Sequence, residues 1–336
     1  MKSKKLVGVS RDLIVRRYMS LDKFEKLLST GGLYFARFDS FSDKLEGGIT
    51  SQNYPDVSCA LELFDLAMNP LPRGTSHSGK EVVKDIVGEV SNSTFEGLYG
   101  THKRIDGDDY LKLVSSWLYA SCWTDLPHEC QAMWSLYGVT GTGCDHPECC
   151  VQCESTHGMS ICIETTVGSI VDNLQLEEEY HFSVQKVDYV NHKTTKFGSG
   201  ELSTKPFFSK AKHFSYENEV RFVLWPNKAN VCFSYKNGES TINEQSHVLL
   251  GVKDMGSLIK KIILSPVPYS SAVKIRESHL VQYQTLLGLE ENLSNKILRD
   301  KVVSLCKING VHVEIVDSDM NQIGTSDCYT YVDGHK

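Results

Sequence analysis

The chain has 336 residues, of which 40% are hydrophobic and 23% charged, so its composition is that of a globular protein with one large domain or two ordinary ones. A formal charge of −7 and a pI near 6.0 argue against a dedicated nucleic-acid-binding surface. No apolar stretch approaches the roughly 20 residues of a membrane span, and Arg11 and Asp12 interrupt the apolar part of the basic N-terminus. We therefore expect no membrane partner and no signal peptide, and we predict a cytoplasmic location.

The chain begins with a predicted strand, helix and second strand. Residues 13–20 and 33–38 have the composition of short strands. Between them, Ser20 is a typical helix N-cap, and the helix that follows has an apolar face and ends at a glycine pair. This arrangement predicts two strands connected by one amphipathic helix.

The next part of the chain changes from weak to strong patterning. Residues 50–115 are the least patterned and are predicted to be a helical insertion, with helices at 59–68 and 80–90. Strong patterning returns at 117–125, and a helix is predicted at 129–138.

Strands dominate the rest of the chain. They are predicted at 159–165, 183–190, 218–225, 247–252, 260–266 and 311–317, with helices within 267–289 and at 291–307. Because helices flank a middle part made of strands, we predict an α+β fold. We also predict a single domain over residues 1–336, with a Cys/His-rich inserted loop at 139–157. Its C-terminal part, 267–336, would contain helices plus the final strand.

The segment HFSYENEVRFVLW, residues 213–225, puts charges at the start of a strongly apolar strand. Strand alternation gives one apolar face and brings Glu217, Glu219 and Arg221 together on the other. A solvated charged face would explain the pattern. However, two adjacent carboxylates repel one another unless a cation, a metal or a polar substrate uses them. The three residues are therefore candidates for a functional site.

Two arginines, Arg16 and Arg17, lie at the end of apolar stripes on opposite faces of the first strand. One of them should therefore point inward. A guanidinium in such a place needs a carboxylate or a phosphate as its counter-group. The two interpretations are a structural Arg–Glu pair that joins two strands and a site for an anionic ligand.

The loop GCDHPECCVQCESTHG has the residue types of a metal site. Its thiolate and imidazole side chains are spaced closely enough to surround one ion, which favours Zn²⁺. We predict a structural site with Cys144, His146, Cys149 and Cys153 as ligands and Cys150 as a substitute. The alternatives are a reactive, flexible loop and a redox switch.

Five motifs occur in an order that is typical of one family. They are the opening VRRYMS, the strand GGLYFARF with the turn FSDKLEG, the helix AMWSLYG, the strand GMSICIE and the late segment KAKHFSYENEVR. With these motifs, residues 13–266 resemble the microbial family that carries domain-of-unknown-function number twenty-nine seventy-one. Ser42, Lys44 and Phe214 depart from the asparagine, proline and tryptophan that are usual there.

The layout also has a remote resemblance to the ADP-ribosyltransferase superfamily. That resemblance implies a mixed, mostly antiparallel split sheet in which an arginine on the first strand and a glutamate on a late strand hold NAD. The Glu-x-Glu pair of the arginine-modifying branch is matched by Glu217 and Glu219. It implies that Glu219 stabilises an oxocarbenium-like transition state, and that Glu217 orients or deprotonates the attacking nucleophile.

The same resemblances imply a set of substrate-binding side chains. Arg17 would hold a diphosphate bidentately, and an aromatic side chain would stack on a ring of the ligand. The implied binding residues are Arg17, Tyr18, Tyr34, Asp43, Glu46, Trp134, Tyr137, Lys210 and Arg221.

We therefore predict an NAD- or nucleotide-directed ADP-ribosyltransferase or glycohydrolase-like enzyme. The kinds of proteins in such families suggest a toxin or an antiviral-defence effector with a macromolecular acceptor. One alternative is a metal-dependent nuclease in which Asp43, Glu46, Glu217 and Glu219, with Lys210, bind Mg²⁺. Another is a non-catalytic sensor that binds a nucleotide or a protein. Metal-independent NAD consumption, metal-dependent cleavage of nucleic acid, and binding without turnover would distinguish the three.

Overall fold

The computed structural model describes residues 5–41, 79–92, 94–103, 110, 113–138, 159–198, 200–231, 243–266 and 296–320. The predicted helices at 59–68 and within 267–289 lie outside these ranges. So do Asp43, Glu46 and the five predicted zinc ligands, Cys144, His146, Cys149, Cys150 and Cys153. The predictions for them remain predictions.

The described part of the chain contains both strands and helices. The strands are β1 (Lys5–Val7), β2 (Ile14–Ser20), β3 (Gly32–Arg37), β4 (Thr94–Gly97), β5 (Gly100–Lys103), β6 (Tyr119–Thr124), β7 (Ser160–Thr166), β8 (Tyr180–Lys186), β9 (Asp188–Val190), β10 (Ser209–Ala211), β11 (Glu219–Pro226), β12 (His247–Gly251), β13 (Lys261–Leu264) and β14 (Glu314–Val316). The helices are α1 (Leu21–Thr30), α2 (Gly79–Asn92), α3 (Gln131–Tyr137), α4 (Val167–Asn173), α5 (Met255–Leu258) and α6 (296–308). None of these helices combines the length and apolarity that a membrane crossing requires.

Ten of the described strands form one sheet. Eight follow the order β1-β8-β11-β6-β2-β7-β13-β14, while β3 and β12 extend it beside β6. The pairs β1–β8 and β13–β14 at its two ends are parallel, and the other pairs of the sheet are antiparallel. The predicted α+β class, with a mostly antiparallel mixed sheet and flanking helices, is confirmed. The likeness to ADP-ribosyltransferases remains a prediction.

The sheet divides on one side of β6. Along one edge, β6 pairs with β11 over its whole length. On the other edge it pairs with β3 at Tyr119 and Ala120, but with β2 at Thr124. Within the described pairings, residues 121–123 have no strand partner on that edge. We call this gap between β2 and β3 the split.

The turn between α1 and β3 follows from its glycines. Gly31 adopts a left-handed conformation at φ 59° and ψ 25° after the last turn of α1, as the sequence predicts for a helix C-cap. Ser20 occupies the predicted N-cap position, but its side chain makes no capping hydrogen bond. Burial of Phe24, Leu27 and Leu28 on one face of α1 therefore matters more for this helix than its N-cap.

The main core lies on one face of the sheet. Alternate residues of β2, β7 and β11, such as Val15, Ile163 and Phe222, form one apolar cluster with residues of α1 and α6, where Phe24 and Val302 are fully buried. The predicted alternation of buried residues is thus confirmed on this face. Burial of this many apolar side chains is the main source of stability for the sheet.

The opposite face of the sheet carries two smaller clusters. One is centred on Phe38, Phe207 and Val223, and the other on Tyr18 and Trp134. A side chain that lies between these two clusters is buried, but it is not part of the main core. The charged residues of β11 lie on this face.

One predicted strand is two strands in the structure. The sequence predicts a continuous strand at 183–190, but β8 ends at Lys186 and β9 begins at Asp188. Val187 donates its backbone N–H to the carbonyl of Glu219, and β9 then pairs with β10 instead of β11. Short strands such as β1, β4, β5 and β10 were not predicted, because three or four residues are too few to show a period.

Candidate functional site

The charged segment folds differently from its prediction. Glu217 is not part of the strand: it ends a 3-10 helix, Lys212–Glu217, and β11 begins at Glu219. Asn218 connects the two in a left-handed conformation with φ 40°, which asparagine tolerates better than most residues. Strand alternation is therefore the wrong reason for putting Glu217 beside Glu219, and the turn brings them together instead.

Four charged side chains meet here, and we call Lys210, Glu217, Glu219 and Arg221 the charged quartet. Lys210 Nζ lies 2.7 Å from Glu217 Oε2 and 3.5 Å from Glu219 Oε2. Arg221 donates from Nε to Glu219 Oε1 at 2.7 Å and from Nη2 to Glu219 Oε2 at 3.0 Å. The ammonium thus contacts both carboxylates, while the guanidinium holds one of them with two parallel hydrogen bonds.

The charged quartet is buried. The relative exposures are 7% for Lys210, 4% for Glu217, 5% for Glu219 and 0% for Arg221. A solvated charged face is therefore excluded. Two positive and two negative charges balance, as burial requires, since an unpaired buried charge is very costly.

The environment of Glu219 keeps it ionised. Burial alone would raise the pKa of this carboxyl group, but Arg221, Lys210 and a hydrogen bond from Cys122 together lower it to about 2. Glu219 is therefore negatively charged throughout the physiological pH range. It is suited to electrostatic stabilisation and not to proton transfer near pH 7.

Aromatic side chains and backbone groups complete the surroundings of the charged quartet. Tyr137 donates its hydroxyl to Glu217 Oε1 at 2.9 Å, and burial together with Glu217 raises the pKa of this tyrosine. Phe214 lies with its ring centroid 4.7 Å from Lys210 Nζ, a cation–π contact. Arg221 also donates to the carbonyl of Phe207 at 2.9 Å. Both glutamates and both cations have close partners.

Cys122 connects the charged quartet with the split. It lies opposite Arg221 in the β6–β11 pairing, is partly exposed, and hydrogen bonds to Glu219. Its contact with a charged group was not predicted from the sequence. Because successive residues of β6 face opposite sides of the sheet, Ser121 and Trp123 next to it belong to the other face.

The two neighbouring arginines of β2 have different partners. Arg16 binds Glu164 of β7, with its Nη2 2.6 Å from Oε2, and this is the structural Arg–Glu pair that the sequence allows. Arg17 donates from Nη1 to Ser121 Oγ at 3.0 Å and lies over the Trp123 ring at 5.8 Å. Among the described residues, no carboxylate pairs with Arg17.

Arg17 lies at the split. Its side chain begins on the main-core face, yet it is partly exposed and reaches Ser121, which is within the unpaired stretch of β6. Burial lowers the pKa of the guanidinium, although arginine remains charged at any physiological pH. A cation that is surrounded by protein, partly accessible and without a carboxylate partner in the described part of the chain is suited to an anionic ligand.

An aromatic pair borders the split on the side of β3. Tyr34 is 44% exposed and stacks on His247 of β12, with ring centroids 4.9 Å apart and an interplanar angle of 23°. Leu249 lies directly opposite Tyr34 in the pairing of β3 with β12 and is 42% exposed. Tyr34 is also near enough to Arg17 to influence its pKa.

Most of the predicted site residues that the structure describes fall into two groups. Lys210, Glu217, Glu219 and Arg221 meet with Tyr137 in one cluster, while Arg17 and Tyr34 lie at the split. Neighbouring strands are about 5 Å apart, so the backbones of β2 and β11 on the two sides of β6 are roughly 10 Å apart. Because Arg17 begins on the main-core face and the charged quartet lies on the opposite face, a ligand that contacts both groups would have to pass through the split.

Two predicted aromatic residues belong to the core instead. Tyr18 and Trp134 pack edge to face at 4.8 Å, and both are buried. The indole N–H of Trp134 donates to Glu129, which also accepts from Ser318. A stacking role for Trp134 would require this packing to open.

Metal ligands do not gather in this region. Within the described ranges, no three His, Cys, Asp or Glu side chains are grouped so that they could hold a metal ion. The Mg²⁺ hypothesis relied on Asp43 and Glu46, which lie outside those ranges, together with the two glutamates of the charged quartet. Lys210 and Arg221 already neutralise these glutamates.

Some residues of the site were missed by sequence reasoning. Ser121, Cys122 and Trp123 lie in β6. Alternation along this strand would have shown which face each side chain occupies, but only if its pairing with β2 and β11 had been known. His247 gave no local signal, because its importance comes only from stacking on Tyr34 of another strand.

No protein-family model matches the chain, and neither a curated protein nor a solved structure matches it. Membership of family number twenty-nine seventy-one, and the remote likeness to ADP-ribosyltransferases, stay predictions that rest on the motifs quoted above.

Proposed function

We propose that the protein binds NAD or a related nucleotide at the split and acts as an ADP-ribosyltransferase or NAD glycohydrolase. The observation that carries this proposal is Arg17, a protein-enclosed cation whose described contacts are one hydroxyl and one indole ring. An arginine fork matches the oxygens of a diphosphate, and Glu219 lies on the strand beyond β6.

The charges around the split suit the chemistry of NAD cleavage. The bond between ribose C1 and the nicotinamide nitrogen breaks, and its electron pair goes to nicotinamide. A new bond then forms between C1 and the nucleophile, which is water in a glycohydrolase and an acceptor group in a transferase. The proton of the nucleophile passes to a carboxylate or to water. The ionised Glu219 would stabilise the positive charge that develops on the ribose.

The catalytic carboxylates would have to exchange partners. Glu217 accepts from Tyr137 and Lys210, and Glu219 is held by Arg221 with Lys210 nearby. In this proposal a ribose hydroxyl takes the place of the Lys210 or Tyr137 contact, while the two hydrogen bonds from Arg221 remain. The role as a toxin or antiviral-defence effector rests on the family resemblance alone.

Incubation with NAD in the absence of added metal tests the proposal. The wild type should release nicotinamide, whereas Arg17→Ala should bind NAD weakly and Glu219→Gln should bind it with little turnover. Arg11→Ala is a matched control, because Arg11 forms only an exposed ion pair with Asp172 in the described structure. Equal nicotinamide release by all four proteins would contradict the site assignment.

A second candidate function is a non-catalytic sensor that binds a nucleotide at Arg17. It is favoured by the saturation of the charged quartet, in which both glutamates already have cationic partners. In that case NAD should bind without turnover, and Glu219→Gln should leave its affinity unchanged wherever the variant remains folded. Binding measured together with nicotinamide release distinguishes the sensor from the enzyme.

The metal hypotheses need separate tests. A nuclease would cleave nucleic acid only with added Mg²⁺, and chelation would stop it. We keep the structural zinc at 144–153 as a proposal, since Cys and His at this spacing suit Zn²⁺. Metal analysis of the freshly purified chain should find about one zinc per molecule, and its absence would contradict the site.

A further inference from the structure

A cavity of about 160 Å³ lies at the end of the sheet where β6 and β8 begin and β11 ends. Tyr180 is opposite Pro226, and Tyr119 is opposite Leu224, so these side chains share the main-core face. Pro226 is seven residues along β11 from Glu219, or roughly 23 Å. The cavity is therefore separate from the charged quartet. It is also smaller than the roughly 300 Å³ of the smallest pockets for drug-sized ligands, so it suits a single head group.

The walls of the cavity are mainly aromatic. Trp117, Tyr119 and Tyr180 line it together with Pro226. The indole nitrogen of Trp117 is buried, so this side chain presents carbon atoms to the cavity. Tyr119 and Tyr180 are 1% and 7% exposed and belong to the main core, which holds both rings in place. Aromatic rings around a small space attract a cation through their π electrons.

The hydroxyl and amide groups of the cavity are bonded to one another. Asn243 donates to the hydroxyl of Tyr119 and, at 3.1 Å, to the carbonyl of Ser116. The Tyr119 hydroxyl in turn donates to the carbonyl of Gln245 at 3.2 Å. The side chain of Gln245 hydrogen bonds to Tyr180. Because these groups already have partners, charge and shape would select a ligand here more than hydrogen bonds would.

The charge at the cavity comes from Glu179, which lines it. Burial, together with Tyr119 and Glu179, raises the pKa of Tyr180 to about 12, so the carboxylate is near this ring. Burial and a hydrogen bond with Glu179 also raise the pKa of Glu177. In the described part of the chain, no cationic side chain pairs with Glu179. Two neighbouring carboxyl groups repel when both are ionised, and a bound cation would relieve this repulsion.

We propose that this cavity binds an alkylated ammonium group, with the aromatic side chains around its methyl groups and Glu179 as its counter-charge. A quaternary ammonium has no N–H to donate, which matches a cavity whose hydroxyl and amide groups are already bonded. Such a head group occurs in free small molecules and in methylated lysine side chains. None of the lining residues is among the described partners of Arg17, so this site is independent of the proposed function.

Titration of the full chain with choline, followed by nuclear magnetic resonance, tests the site. The chain has four tryptophans, and the indole N–H signal that disappears in Trp117→Phe belongs to Trp117. This signal should shift with choline until the site is saturated. The neutral carbon analogue of choline, in which a tert-butyl group replaces the trimethylammonium group, should bind about tenfold more weakly, because it has the shape without the charge. Equal affinities, or no shift of the Trp117 signal, would overturn the proposal.

Two neighbouring glutamates provide the matched variants. Glu179→Gln should weaken choline binding about tenfold, because the counter-charge is lost. Glu178→Gln should leave it unchanged, since Glu178 is not among the residues that line the cavity. If both variants bind choline as the wild type does, Glu179 is not the counter-charge and the proposal is wrong. Tyr180→Phe keeps the ring and should bind choline normally, whereas Tyr180→Leu should not.

An acetylated trimethyl-lysine amide distinguishes the two sources of the head group. Binding at least as tight as that of choline would assign the cavity to a methylated lysine of a peptide, and weaker binding would assign it to a free small molecule. Glu179→Gln should release nicotinamide from NAD as the wild type does. The ammonium site and the site at Arg17 can therefore fail separately.

Discussion

Two arginines lie on the strands that flank β6, and their surroundings are opposite. Arg221 on β11 has no exposed surface, grips both oxygens of Glu219 and donates a further hydrogen bond to Phe207. Arg17 on β2 is partly exposed and donates to one serine hydroxyl. A buried cation with both carboxylate oxygens as partners serves the fold, whereas Arg17, at a gap in the sheet, has no carboxylate partner within the described ranges and is a candidate for ligand binding.

The comparison also separates the two predicted halves of the site. The charged quartet contains the residues that sequence patterns single out most clearly, yet its charges satisfy one another. At the split, Arg17 and Cys122 are partly exposed and Tyr34 is exposed, whereas all four side chains of the charged quartet are buried. We therefore expect substitutions of the two cations in the charged quartet to act mainly on stability, and substitutions at the split to act mainly on binding. Glu219→Gln should lower both stability and turnover, since Glu219 is also the proposed catalytic carboxylate.

The largest effect is expected for Arg221→Met. This change leaves Glu219 buried without its bidentate partner, and breaking one side of a buried ion pair costs about 3–5 kcal/mol. Chemical denaturation should show a loss of unfolding free energy of that size. A double variant that adds Glu219→Gln should recover part of it. A loss below about 1 kcal/mol would show that the quartet does not stabilise the fold.

Acid should weaken the charged quartet in a defined pH window. The pKa of Glu219 is about 2 in the folded protein, against an ordinary value of 4.5. Because the folded value is the lower one, the stabilisation is fully present above about pH 4.5 and is lost as the pH falls towards 2. The difference corresponds to roughly 3 kcal/mol. Unfolding free energies of wild type and Glu219→Gln should therefore converge between pH 4.5 and 2, and parallel curves would contradict the assignment.

A smaller loss is expected for Arg16→Met. Arg16 and Glu164 are part-buried, with side-chain exposures of 13% and 14%, so solvent screens them more than the charged quartet. We expect unfolding free energy to fall by about 1–2 kcal/mol. Arg17→Met is the matched control on the next residue of the same strand. If Arg16→Met and Arg17→Met lower the unfolding free energy equally, Arg17 stabilises the fold as much as Arg16 does, and the contrast between them is wrong.

The smallest change is expected for Tyr137→Phe. It removes one hydroxyl that donates to Glu217, while Lys210 still binds this carboxylate. A hydrogen bond to a charged group contributes about 1.5–3 kcal/mol, but Tyr137 is itself 38% exposed, so we expect a loss of only about 1 kcal/mol. Denaturation should show a loss below that of Arg16→Met. A loss comparable to that of Arg221→Met would mean that Tyr137 is a full member of the charged quartet.

Much of the sheet could be predicted, because β2, β3, β6, β7 and β11 are long enough to show alternation. The contents of the site were harder to predict. Glu217 was assigned to the wrong element, since the left-handed turn at Asn218 leaves no mark on the apolar pattern. Arg16 has a structural partner and Arg17 lies at the split because β2 lies between β6 and β7. That strand order depends on the whole chain and cannot be read from one segment.

The stack of His247 on Tyr34 is a single contact that local sequence patterns could not predict either. The two residues are far apart in the sequence, and only the β3–β12 pairing brings them together. The family resemblance drew attention to Tyr34, but nothing in either segment points to the other.

The central claim is that Arg17 is kept for a ligand and not for the fold. It is tested most directly by measuring the Kd for NAD and the unfolding free energy of the wild type and Arg17→Met in the same buffer. We expect the affinity to fall at least about tenfold, since a charge-assisted hydrogen bond contributes about 1.5–3 kcal/mol, while the unfolding free energy stays within about 0.5 kcal/mol or rises. An unchanged Kd, or a loss of several kcal/mol of stability, would contradict the account.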